Sequence, residues 1–206
     1  MKTTTKLIRT EWAESHPLLT KYYDEEWGMP VYGEAEIFER LSLEAFQSGL
    51  SWLTVLKKRD TIRRAFLNFD IESVANFNDS DVNKLMETEG LIRNQNKIKA
   101  IIKNAQTTID LRSAIKVKPE LRNLSNLVWS FMPERSPAVS SYTDMPTSSP
   151  ESEALAKELK RLGFLWVGPT SVYAAMGAIG IVDQHIVSSH KRGCSGLWNI
   201  DGTRAD

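Results

Sequence analysis

Apolar residues in this chain recur at helical spacing, and no stretch of convincing length alternates as a half-buried strand does. The clearest case is Lys97–Leu111, where Ile98, Ile101, Ile102, Ala105 and Ile109 share one face. Glu36–Leu56 carries Phe38, Leu41, Ala45, Trp52 and Leu56 near one stripe, and Gly49 predicts a break or bend inside it. Asp70 is placed to cap a short helix through Phe77, and Asp79 another from Ser80 to about Glu89, which Gly90 ends. Asn123–Met132 reads as a shorter apolar helix, and Thr170–Ile181 as a small-residue helix suited to burial. Ser149 and Pro150 form an N-cap and first-turn pair for a helix ending at Gly163. The Pro- and Ser-rich run Met132–Pro150 reads as a long surface connection. The expectation is an all-α chain of about seven to nine short helices, with no internal repeat.

Charge and cysteine content narrow the setting. Lys+Arg and Asp+Glu number 26 each, so any nucleic-acid footprint must be a local basic patch offset by acidic surface elsewhere. The single cysteine, Cys194, excludes an intramolecular disulfide and suits a reducing compartment. Met1–Arg9 contains Lys2, Lys6 and Arg9 but no apolar core, so it is not expected to be a signal peptide. No segment approaches the roughly 18 apolar residues of a membrane helix. The expected protein is soluble and cytoplasmic, with no membrane partner.

Two features could carry chemistry. The first third holds Trp12, Tyr22, Tyr23, Trp27, Tyr32, Phe38, Phe46 and Trp52. Such rings are ordinarily core, yet Tyr22 and Tyr23 run into Asp24-Glu25-Glu26, and Trp27 precedes Gly28 and Pro30. That is loop-like sequence, in which rings are exposed or line a cleft. The second feature is Glu44, which interrupts Leu41-Ser42-Leu43 and Ala45-Phe46 in a helix that otherwise looks buried. It is either an edge-of-face glutamate in solvent, or a carboxyl that is paired, hydrogen-bonded, protonated or at a cleft edge. Gln47, Ser48 and Ser51 follow within two turns, consistent with a polar-edged pocket mouth.

Several motifs carry a resemblance. Tyr22-Tyr23-Asp24-Glu25-Glu26-Trp27-Gly28 and the run from Leu43 to Arg59 are followed in order by Gly90-Leu91-Ile92-Arg93, Asn96-Lys97-Ile98 and Val128-Trp129-Ser130-Phe131. Pro146-Thr147-Ser148, Gly163-Phe164, Val167-Gly168 and Asp183-Gln184-His185 close the series. Together, over roughly residues 9–190, these resemble the DNA-3-methyladenine glycosylase I family, a branch of the helix-hairpin-helix glycosylases. The resemblance implies an all-α helix-hairpin-helix fold with two small lobes and a base pocket between them. It implies one catalytic unit over 1–206: segments 9–34 and 150–190 with the termini in one lobe, and about 35–132 in the hairpin-containing lobe.

It also implies roles. Trp12, Tyr22, Trp27 and Trp52 match the family's base-binding rings, and Glu44 its pocket carboxylate. An adenine methylated at N3 in DNA is cationic, and aromatic faces favour a cation by roughly 0.5–2 kcal/mol per contact. Glu44 can accept from the adenine edge, its exocyclic amine in particular, which favours adenine over guanine. The aspartate that assists water in related glycosylases is absent from this family, so no separate general base is assigned. Glu44 is the expected catalytic residue, chiefly through recognition and electrostatic support.

The hairpin Gly90–Lys97 resembles the phosphate-gripping element, with Arg93, Asn94 and Lys97 as expected DNA-backbone contacts, although an ordinary helix turn with solvated cations would read the same. Lys57-Lys58-Arg59, Arg63-Arg64 and Lys97-Lys99-Lys103 could extend the footprint. The family keeps a lysine at position 97 and is monofunctional, so no strand-cleaving lyase is expected.

Many family members hold a structural zinc with two cysteines and two histidines. Here the four positions are Thr10, Tyr23, His185 and Ser189, of which only His185 is a plausible ligand. A displaced site from His16, His185, His190 and Cys194 has no familiar spacing. A variant without metal or other cofactor is expected, its termini held by packing with Tyr23 in place of the ion. The expected partner is double-stranded DNA containing alkylated bases, met by a monomer. Three readings remain: a 3-methyladenine glycosylase, with or without action on 3-methylguanine; the same enzyme retuned to bulkier alkylated bases; and a non-catalytic lesion-binding module. The role of the tail 193–206 is not legible.

Overall fold

The helical periodicity is realised throughout residues 7–205, the part that this computed structural model describes; Lys2 and Lys6 of the basic N-terminal stretch lie outside the described residues. Ten α-helices follow one another: α1 Glu11–Glu14, α2 Pro17–Glu25, α3 Glu34–Gln47, α4 Trp52–Ala65, α5 Ile71–Ala75, α6 Asp79–Glu87, α7 Gln95–Arg112, α8 Leu124–Trp129, α9 Pro150–Leu162 and α10 Pro169–Ala178. Strand-like pairing among the described residues is confined to two isolated bridges, Arg135 with Thr203 and Trp198 with Arg204. No helix among them is long and apolar enough to cross a membrane.

Local chemistry sets the boundaries. At α9, the Ser149 hydroxyl accepts from Ser152 N and the Ser152 hydroxyl accepts from Ser149 N; Pro150 opens the helix and Gly163 follows its end. The Glu36–Leu56 stripe is two helices, because Gly49 at φ 78° takes a left-handed conformation that side chains disfavour, and Ser51 then caps α4. The capping residue of α6 is Asn78 rather than Asp79: its side chain accepts from Ser80 N and Asp81 N, while Asp81 accepts from Asn78 N. The helix total exceeds the expectation because the segment around Tyr22 is not loop. His16 caps α2 by accepting from Leu18 N at 3.1 Å, and Pro17 opens it. The acidic residues Asp24 and Glu25 crowd the end of α2 and mask its apolar face in the sequence.

α3 lies at the centre, with nine of its residues buried from Ile37 to Phe46. α10 packs on α3 and α9, α4 on α3, and α7 on α3, α5 and α6. A second, aromatic cluster of Ala13, Tyr22, Tyr23, Trp27 and Ala178 sits where α1 and α2 cover this centre. Close backbone approach holds that cover in place. Gly28 N donates to Ala178 O, and a Cβ at Gly180 would lie 2.7 Å from Gly28 O, so only glycine fits there.

The C-terminal tail packs against the body. Trp198 is buried and donates to Gly180 O, and Arg204 donates to Met132 O and Pro133 O. Ser136 N donates to Gly202 O, which ties the tail to the start of the 133–149 connection.

Candidate active site

Where the aromatic cluster meets α3, the chain leaves a cavity of about 450 Å³, within the range typical of small-molecule sites. Trp12 from α1, Tyr22 from α2, Trp27 from the turn after it, Glu44 from α3 and Trp52 from the first turn of α4 all line it. All five pocket residues expected from the sequence therefore share one hollow. The Tyr22 and Trp52 rings lie 5.2 Å apart, and Trp27 meets Trp12 edge-on at 5.2 Å. The Trp12 and Trp52 indole nitrogens are buried without a hydrogen-bond partner, which leaves two unsatisfied donors on residues that line the cavity. Gln47 and Ser51 form part of the rim, as the polar run after Glu44 suggested.

Glu44 is the electrostatic centre. It is 7 % exposed, and burial pushes its carboxyl up to about 8, against the opposing pull of Arg40. Arg40 does not neutralise it because Arg40 is already committed to Glu26, whose carboxylate also accepts from Arg59 at 2.7 Å. Burial alone would raise Glu26; the two guanidinium groups outweigh it and hold Glu26 below the usual carboxylate range. The same burial keeps the Tyr22 phenol protonated. The cavity thus offers aromatic walls and one neutral acid ready to ionise beside a cation.

The three expected backbone contacts separate. Arg93 is exposed at the hairpin between α6 and α7. Asn94 caps α7 by accepting from Lys97 N. Lys97 is 3 % exposed, and its ammonium donates to Phe46 O at 2.8 Å and to Ser48 O. It holds the last carbonyls of α3, one turn beyond Glu44, with the Trp166 ring 5.2 Å from Nζ. Its charge therefore acts on the pocket-mouth turn. Among the other cations, Arg59 pairs with Glu26, Arg63 with Glu39 and Lys99 with Asp79, while Lys58 donates to Gly90 O.

Sequence reasoning missed Tyr142, Gln184, Leu53 and Leu19, which also line the cavity. Gln184 lay within a recognised motif. Tyr142 lay in a run whose composition signalled only a loop.

The positions of the family's zinc ligands converge, yet the donors do not suit the ion. Tyr23 OH and Ser189 Oγ are hydrogen-bonded at 2.7 Å, and Thr10 Oγ1 is buried without a clear partner. His185 Nδ1 donates to Asp183 at 2.8 Å; burial lowers its pKa and keeps the ring neutral, edge-on to Trp27. Two neutral hydroxyls, a protonated phenol and one imidazole are a poor zinc set. No group of three or more metal-binding side chains occurs among the described residues. The displaced set is dispersed as well: His16 caps α2, and His190 bonds Ile8 O and Asp24.

Residues 12–192 match the family described as methyladenine glycosylase. The DNA-3-methyladenine glycosylase 1 of Escherichia coli (strain K12) is 40% identical over 182 residues, covering 87% of this chain and 94% of that protein. The DNA-3-methyladenine glycosylase of Haemophilus influenzae (strain ATCC 51907 / DSM 11121 / KW20 / Rd) is 38% identical over 181 residues, covering 86% and 94%. A crystal structure of 3-methyladenine DNA glycosylase I superposes with a TM-score of 0.82 at 38% identity, covering 89% of this chain and 98% of that one.

Proposed function

Because the chain belongs to the methyladenine glycosylase family, we propose that it hydrolyses the N-glycosidic bond of 3-methyladenine in alkylated double-stranded DNA, as a monofunctional base-excision repair enzyme. The observation that carries this reading is the buried acid of Glu44 facing an aromatic cavity. Extruding a base costs a few kcal/mol, least for a damaged one, and stacking on aromatic rings offsets it. The Trp12, Tyr22, Trp27 and Trp52 rings favour the cationic purine over neutral bases. Its charge favours ionisation of Glu44, which then accepts from the exocyclic amine.

As the glycosidic bond breaks, its electron pair discharges the ring and the base leaves as neutral 3-methyladenine. Water adds to C1′ and releases a proton. A leaving group this activated needs little acid assistance, so Glu44 serves by recognition and electrostatic support. Arg93, with the Asn94-capped N-terminus of α7, is suited to meet the phosphate backbone, and Lys97 supports the adjoining turn from within. A DNA substrate implies a cytoplasmic setting, and the enzyme acts as a monomer with no metal at the Thr10–Tyr23–Ser189 junction.

The test is to incubate methylated duplex DNA with the protein and identify the free bases by chromatography. Release of 3-methyladenine alone is expected. A broader set of alkylated bases would indicate a retuned pocket, and no release would indicate a lesion-binding module instead.

A further inference from the structure

We infer that Tyr142 is a specificity-determining wall of the base pocket, closing it against alkyl substituents larger than methyl. This inference rests on the glycosylase reading above.

The ring lines the same cavity as Glu44 and Trp52, and its centroid lies 6.3 Å from that of Trp12 at an interplanar angle of 58°. It remains 41% exposed. A large ring that lines a cavity and is left part-open has a face free for a ligand.

The surrounding chain fixes its position. The Ser141 side chain accepts from Thr143 N and bonds the Thr143 hydroxyl at 2.7 Å, while Met145 N donates to Tyr142 O, closing a tight helical turn around the tyrosine. Upstream, Val187 N donates to Val139 O, and Ser136 is bonded on both sides by Asp183. The connection is thus stitched to the body before it delivers the ring. Within the pocket, partial burial and the nearby Glu44 carboxyl both push the phenol up, so it stays neutral. The other lining residues come from α1 to α4 and their adjoining turns, Ala174 of α10 and Gln184, whereas the 133–149 connection contributes Tyr142. Shortening this side chain therefore enlarges the pocket.

One methylene in a fitted apolar pocket discriminates by about 10–200-fold, which sets the expected effect. Duplex DNA treated with a methylating or an ethylating agent would be incubated with the parent, Tyr142→Ala and Tyr142→Phe, and released 3-methyladenine and 3-ethyladenine quantified. Tyr142→Ala should raise the ethyl-to-methyl ratio of kcat/KM at least about tenfold, and Tyr142→Phe should restore the parental ratio. An unchanged ratio in Tyr142→Ala, or an equal loss on both substrates, overturns the inference while leaving the glycosylase reading intact. A parent that releases neither base removes that reading and this wall with it.

Discussion

A carboxyl buried without a counter-ion is held neutral until something cationic arrives, and Glu44 meets that condition. The consequence for stability has a definite sign. An ordinary glutamate loses its proton near 4.5, whereas folded Glu44 keeps it to about 8. Between those values the native state binds the proton and the unfolded chain does not, so stability falls as pH rises, by up to about 1.4 kcal/mol per pH unit. Glu44→Gln lacks this slope. Denaturant midpoints should therefore diverge from pH 5 to pH 8, with the glutamine variant the more stable at pH 8; parallel curves would show Glu44 to be already ionised. Glu44 stood out in the sequence because a carboxyl interrupted an apolar run, but solvent exposure fitted that pattern equally well. Only the convergence of α1, α2 and α4 on the same point resolves it, and those contacts are remote in sequence.

At the scale of elements, the site is held by ions that join helices. Glu26, just after α2, binds Arg40 of α3 and Arg59 of α4, and so keeps Arg40 from pairing with Glu44. With Glu26→Gln, Arg40 is freed and draws the Glu44 pKa down. The rising limb of the kcat/KM profile, expected near pH 8 in the parent, should then move to lower pH, as a pH–rate series would register. Lys97 plays the matching part at the end of α3. Lys97→Met leaves the Phe46 and Ser48 carbonyls without their donor, which costs about 1–3 kcal/mol, read as a lower midpoint in chemical denaturation. Neither role was legible: a lysine beside exposed Lys99 and Lys103 reads as part of a solvated basic face, and its burial depends on where α7 crosses α3. By contrast α9 was legible to the residue, because Ser149, Pro150 and Gly163 are local signals of start and stop.

For the whole molecule, the question is what ties the N-terminal segment to the C-terminal one. Arg9 and His190 both bond Asp24, Tyr23 bonds Ser189, and Cys194 approaches Gly28 O. Hydrogen bonds and ion pairs hold this junction, and we predict that elemental analysis of protein purified without a histidine tag finds no stoichiometric zinc. The tail adds packing: truncating buried Trp198 to alanine should cost about 3–5 kcal/mol, as for other buried tryptophans, visible as a lowered unfolding midpoint. The all-α class was plain from periodicity. The tail's docking was not, since its Gly-containing sequence carries no period and its partners at 132–136 and 180–183 are distant in the chain.

The central claim is that the Glu44 carboxyl within the aromatic cavity is what selects the methylated purine and electrostatically supports its release. It is tested most directly by measuring release of 3-methyladenine from methylated duplex DNA by the parent and by Glu44→Gln at pH 8, with both shown to be folded. The account predicts a fall of at least about 100-fold in the variant, the usual cost of losing one electrostatic stabiliser of the transition state. Release by Glu44→Gln within twofold of the parent would contradict it.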